Sequence, residues 1–181
     1  MGRLGTVRCD RWHLARERGG PALLLGDAAH CIVPFHGQGV NAAFEDCTAL
    51  MAIIDGGVDG GAPDWDTAFE RLHAVRHADA QAIADMALDA YSVMRDAVRH
   101  RDFMLRKALE RELERRHPGL FVPRYSLVMF HRIPYAEAHR RGRAQAEILH
   151  ELLRGKTDLA EVDLQQATRL VEERLAPVPD A

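Results

Sequence analysis

Apolar residues recur along most of this chain at steps of three and four, the helical period. Phe44, Cys47, Leu50, Met51 and Ile54 set that step over about 40–55. A second stripe opens with Trp65, Phe69, Leu72 and Val75 and continues through Ile83, Met86, Ala90, Val93 and Met94. A charged helix is expected over about 97–116, stopped by His117-Pro118-Gly119, and two more over about 135–154 and 158–175. Leu164, Ala167, Val171 and Leu175 share one face of the last. The beginning departs from this period. Residues 3–9 and 22–25 read as short strands, the second an unbroken apolar run suited to a buried sheet position. Residues 56–63, GGVDGGAP, form the clearest linker, 120–134 is mixed, and the tail after Ala176 is expected to fray.

The layout is therefore α+β: remnant strands of an α/β sheet, then a mostly helical C-terminal part. Two strands do not make a stable sheet by themselves, so further sheet is expected on the N-terminal side. The division by pattern is 1–56 and 57–181, with segments of interest at 86–95 and 120–137.

Composition narrows the classes. The chain has 181 residues, 47% hydrophobic and 28% charged, with a net charge of −3. That is ordinary for a globular protein and offers no basic footprint for nucleic acid or anionic lipid. No apolar run approaches a membrane span. Three cysteines, Cys9, Cys31 and Cys47, without a Cys-x-x-Cys pair, fit reduced thiols and a cytoplasmic setting.

The chemistry concentrates in Gly26–Cys47, GDAAHCIVPFHGQGVNAAFEDC. Asp27 stands where an apolar strand ends, at the sheet edge where open α/β folds bind ligands. Gly37 and Gly39 let backbone N–H groups approach a ligand with no Cβ in the way. A helix then begins near Val40–Asn41, aiming free N–H groups and the positive end of its dipole back at that ligand. The arrangement suits a ligand with hydroxyls for the carboxylate and an electron-rich end for the helix. A reduced flavin has both.

The order G-D-A-A-H…P-x-x-G-Q-G-x-N…E-D resembles the second flavin motif of the FAD-dependent aromatic hydroxylases of the para-hydroxybenzoate hydroxylase type. P-F-H-G-Q-G-V-N-A-A-F-E-D-C is most similar to their kynurenine 3-monooxygenase branch. The resemblance implies that Gly26 and Asp27 meet the ribityl chain, and that Pro34, Gly37, Gln38, Gly39, Val40 and Asn41 lie along the flavin. Phe35 and His36 would line the substrate space. More thinly, YSVMR at 91–95 and FVPRYSLVMFHRIPYAE at 121–137 resemble substrate-side segments, placing Met94 near the substrate and Tyr125 at its carboxylate. The branch usually has Asn and Glu where this chain has Ala90 and Val93. The implied partners are a small aromatic amino-acid-like substrate, O2, and NADPH as co-substrate to FAD, without an acid–base pair or nucleophile on the protein.

Gly37-x-Gly39-x-x-Ala42 follows Pro34 and not a strand, so it is not read as a dinucleotide fingerprint. His73 and His77, four apart on a helix, lack the intervening Glu of a zincin and are expected to be surface histidines, not metal ligands. His30 is expected to order its loop, and Cys31 and Cys47 to be small buried residues. Arg95 to Arg116 reads as a solvated helix laced by ion pairs. No G-x-G-x-x-G follows a strand, so the ADP-binding unit of this family is expected to be missing or separate, and Met1 an internal start. The chain alone is expected to bind flavin weakly or not at all and to expose an apolar face. The contrasting expectation is a non-catalytic helical binding or scaffold protein that keeps the flavin motif as a relic.

Overall fold

The computed structural model describes residues 4–15, 20–56, 63–96 and 101–179. It divides into two compact units, Met1–Tyr91 and Ser92–Ala181.

In the first unit, β1 (His13–Leu14) pairs antiparallel with β2 (Ala22–Leu23), His13 opposite Leu23 and Leu14 opposite Ala22. The Leu24 amide extends this ladder by donating to the Trp12 carbonyl at 2.7 Å. Residues 4–9, expected as part of a strand, make only two rungs: Val7 N–H to Cys31 O at 2.7 Å and Cys9 N–H to Ala29 O at 3.1 Å. Their partner is the chain entering and leaving a helical turn, so the pairing cannot propagate. The apolar run at 22–25 is not the buried strand it resembles, because Leu24 is 41% exposed. Leu4, Val7 and Leu14 are exposed as well, as expected for a sheet remnant without neighbours.

Helix α1 (Asp27–His30) follows β2, a 3-10 turn spans Pro34–His36, and α2 runs from Gly39 to Asp55. Helix α3 (Trp65–Asp96) is one continuous helix whose buried stripe is Ala68, Leu72, Arg76, Asp79, Ala80, Ile83 and Ala87. The expected stripe is half right: Leu72, Ile83 and Met86 are fully buried, whereas Trp65, Val75, Val93 and Met94 are exposed. Trp12 anchors the core of this unit with Ala29 and Ala80, flanked by Cys9 and Leu23.

The second unit is helical. Helix α4 spans Arg101–Arg116, α5 Arg124–Phe130, α6 Tyr135–Leu153 and α7 Leu164–Arg174. Pro123 and Pro134 take the cap positions of α5 and α6, where a missing N–H costs nothing. Asp163 caps α7 by accepting from the amides of Gln165 and Gln166 at 2.8 and 3.1 Å. Leu109 and Leu113 of α4 meet Ile148, Leu149 and Leu152 of α6 and Ala167, Leu170 and Val171 of α7. Gly142 lets α5 and α6 approach, since a Cβ there would stand 2.4 Å from Arg124 Cδ. On α4, Glu112 pairs with Arg115 at 2.7 Å and Arg116 at 2.5 Å, the ion-pair lacing expected from its sequence.

The tail is strapped down through Val178, contrary to the expected fraying. Val178 is buried and donates its amide to Gly119 O at 2.8 Å, and Arg141 donates to Ala176 O. Residues 138–179 are thus most of the core of this unit. Truncating Ile148 to Ala should destabilise it by about 2–5 kcal/mol. Urea unfolding followed by circular dichroism would register this as a lower midpoint.

Candidate functional site

The motif forms two turns and a helix start within the first unit. At Gly26 the backbone takes φ 55°, and a Cβ would sit 3.0 Å from the Ala43 Cβ. Both facts favour glycine, and the second shows that the Gly-Asp turn rests on the first turns of α2. Asp27, the first residue of α1, is exposed and has no hydrogen-bond or ion-pair partner among the described residues. Its carboxylate is presented rather than used.

The 3-10 turn Pro34–His36 ends at Gly37, at φ 70° and ψ 14°, whose amide donates to Pro34 O at 3.2 Å. Gln38 follows, buried, accepting at Oε1 from Asn41 Nδ2 at 2.9 Å. Helix α2 then begins at Gly39, close to the expected start. Ala42 is the first amide to bond within it, to Gln38 O at 2.9 Å, and no side chain caps this end. The amides of Gly39, Val40 and Asn41 are therefore left pointing outward with the positive end of the dipole. A Cβ on Gly39 would make only an ordinary 3.6 Å contact with Ile32, so packing alone does not demand glycine there.

Of the expected substrate residues, Phe35 packs on Tyr91 with ring centroids 4.7 Å apart, and His36 is buried. Met94 and Tyr125 both lie in the second unit and are 52% and 59% exposed.

Beneath the motif lies a cluster absent from the expected site residues. Asp46, on the inner face of α2 and fully buried, meets three elements. Its Oδ2 stands 2.5 Å from His30 Nε2 and accepts the Gly26 amide at 3.4 Å, and its Oδ1 accepts from Arg76 Nε at 2.9 Å. Arg76 also reaches Asp79 at 3.1 Å, Glu45 at 2.9 Å and the Ala42 carbonyl at 3.4 Å. Burial pushes the Asp46 carboxyl up, but the hydrogen bonds and positive charges of His30 and Arg76 together outweigh it and hold the group below its ordinary value. His30 orders its loop, as expected from the sequence. The Glu-Asp of the motif contained the signal for Asp46: one turn beyond Ala42, its position faces inward, and a buried carboxylate requires cations. Cys31 is half-buried and Cys47 exposed, so the small buried role fits neither fully.

Comparison with known proteins agrees with the motif. A family described as an FAD binding domain matches residues 5–87. Kynurenine 3-monooxygenase of Xanthomonas axonopodis pv. citri (strain 306) is 46% identical over 180 residues, 99% of this chain. Over nearly its whole length the chain is similar to kynurenine 3-monooxygenases. The proteins of that name from Xanthomonas campestris pv. campestris (strain B100) and Xanthomonas oryzae pv. oryzae (strain PXO99A) are 47% and 46% identical over the same 99%. The chain spans 38% of the length of each of these relatives. The similarity covers 99% of the chain and so includes α6 and α7.

Replacing Asp46 with Ala should destabilise the first unit by about 3–5 kcal/mol, because it leaves Arg76 buried without its main partner. Adding Arg76→Met should recover part of the loss in thermal unfolding. The pH dependence has a definite sign. A carboxyl lowered on folding stabilises above its unfolded value, and that stability is lost as pH falls through the folded one. Acid unfolding of the parent should therefore include a step below pH about 4 that is missing in Asp46→Ala.

Proposed function

We propose that this chain is the flavin-contacting and substrate-side part of an NAD(P)H-using aromatic ring hydroxylase of the kynurenine 3-monooxygenase kind. The observation that carries the reading is the pairing of the unpartnered Asp27 carboxylate with the open α2 N-terminus across a glycine contact. Asp27 would accept from ribityl hydroxyls, while the amides of Gly39, Val40 and Asn41 would face the end of the isoalloxazine that becomes negative on reduction. Gly37 and Gln38 shape the approach, and Pro34 sets the turn before them.

Bound FAD would supply the activation of O2 for insertion into an electron-rich ring, with NADPH as its reductant. The chain's own share is binding, orientation and exclusion of water. Phe35, backed by Tyr91, and buried His36 would line the substrate space. Met94 and Tyr125 would serve the aromatic amino-acid-like substrate, Tyr125 at its carboxylate. Ala90 and Val93 stand where this kind of enzyme usually has Asn and Glu, which favours an anthranilate-like or otherwise modified relative of kynurenine.

Asp27 and three amides make part of a dinucleotide site, so an ADP-binding segment, joined or separate, would complete it. The test is co-expression with such a segment taken from one of the Xanthomonas relatives. A yellow complex that oxidises NADPH in response to kynurenine or an anthranilate is expected. Asp27→Ala should weaken its flavin affinity roughly 10- to 100-fold, the worth of a charge-assisted hydrogen bond, without changing its circular dichroism. A colourless complex, or one indifferent to Asp27, would instead favour a helical binding protein with a relic motif.

A further inference from the structure

Three histidines surround a buried tryptophan, one of them His30 of the motif. Trp12 is 1% exposed and donates its indole N–H to the Cys9 carbonyl at 3.1 Å. Its ring lies 5.7 Å from His73 and 5.9 Å from His77, both on α3, and 5.0 Å from His30 on α1. His73 stands 4.7 Å from His77 and 5.9 Å from His13 of β1. His73 and His77, expected at the surface from their spacing, are half-buried. The Nδ1 atoms of His13 and His73 are buried without a hydrogen-bond partner among the described residues. Among the described residues, His77 stands 3.5 Å from Gln81, and His30 is held by Asp46.

The surrounding charges decide what a proton does. Arg11 on the strap adds a positive charge near His73. Arg8, also on the strap, is taken by Asp85 at 2.7 Å and by Gln81 at 2.9 Å on α3. The carboxylates of Asp46 and Asp79 are committed to Arg76, and Asp46 also to His30. No carboxylate pairs with His13, His73 or His77 among the described residues. Burial first, then the charges of His77, His13 and Arg11, push the His73 imidazole below its ordinary value.

We propose that His73, seated among Trp12, His13 and His77, is a proton-sensitive latch through which mild acid releases the Trp12 strap (residues 7–14) from α3. With the strap released, His73 accepts a proton near the ordinary histidine value, whereas against the packed strap it resists one. Stability is therefore full above about pH 6.5 and is lost as pH falls below it. Trp12 also packs on His30, the partner of Asp46, so release withdraws support from beneath the Gly-Asp turn. Acid would loosen that turn before the carboxylates themselves titrate.

The test uses this chain with the exposed Trp65 replaced by Phe, which leaves Trp12 as its single tryptophan. Fluorescence is followed from pH 8 to 5, with amide exchange of Cys9 and Leu24 corrected for the intrinsic effect of pH. A red shift with a midpoint between about pH 5 and 6.5, with faster exchange at both amides, is expected. His73→Gln should shrink the change or move it down by roughly half a pH unit or more, and His77→Gln provides a second variant should the first not fold. An unchanged spectrum down to pH 5 would overturn the latch. Quenching without faster exchange, or the same transition in the double His73→Gln, His77→Gln variant, would do so equally.

Discussion

One buried carboxylate organises the first unit. Asp46 cannot be taken out of water without compensation, and its compensation comes from His30 on α1, Arg76 on α3 and the amide of Gly26. Those contacts bind the Gly-Asp turn, the helix that follows it and the long helix behind it into one arrangement. Gly26 sits against Ala43 at the same place, where a Cβ would stand 3.0 Å from the Ala43 Cβ. The geometry of the turn is thus set by charges buried beneath it.

What faces outward is correspondingly unfinished. Asp27 has no partner among the described residues, the first amides of α2 have no acceptor within their helix, and Val40, Phe44 and Met51 make an exposed apolar stripe along α2. A stripe of that kind on a helix whose opposite face is satisfied by Asp46 reads as a surface meant to be covered. The second unit is different in kind: its core is closed by α4, α6, α7 and the returning tail, and its polar groups are mostly local caps and ion pairs.

The helices were legible because each carries its own period. The extent of α2 followed from Phe44 to Ile54, and the ends of α4 and α7 from His117-Pro118-Gly119 and the Leu164–Leu175 face. Less was legible where the outcome depended on partners distant in sequence. Residues 3–9 have strand composition, but their partner is a turn. Val75 continues an apolar step, yet the stripe that is buried runs through Arg76, because Asp46 waits 30 residues earlier in the chain. The motif residues of the flavin turn were readable as a string. Asp46, inside the same string, was not read as structural, since its cation lies on another helix. His73 and His77 looked like surface residues for the same reason: Trp12, the residue that covers them, arrives from the far end of the unit.

The central claim is that the Gly-Asp turn is held in shape by the Asp46 cluster before any cofactor arrives. Native-state amide exchange of the cofactor-free chain, compared with Asp46→Asn at neutral pH, tests it most directly. The amides of Ala29 and His30, which donate to the Gly26 carbonyl, should lose protection in the variant, while those of α6 and α7 keep theirs. Equal loss in both units, or undiminished protection at Ala29 and His30, would contradict the account.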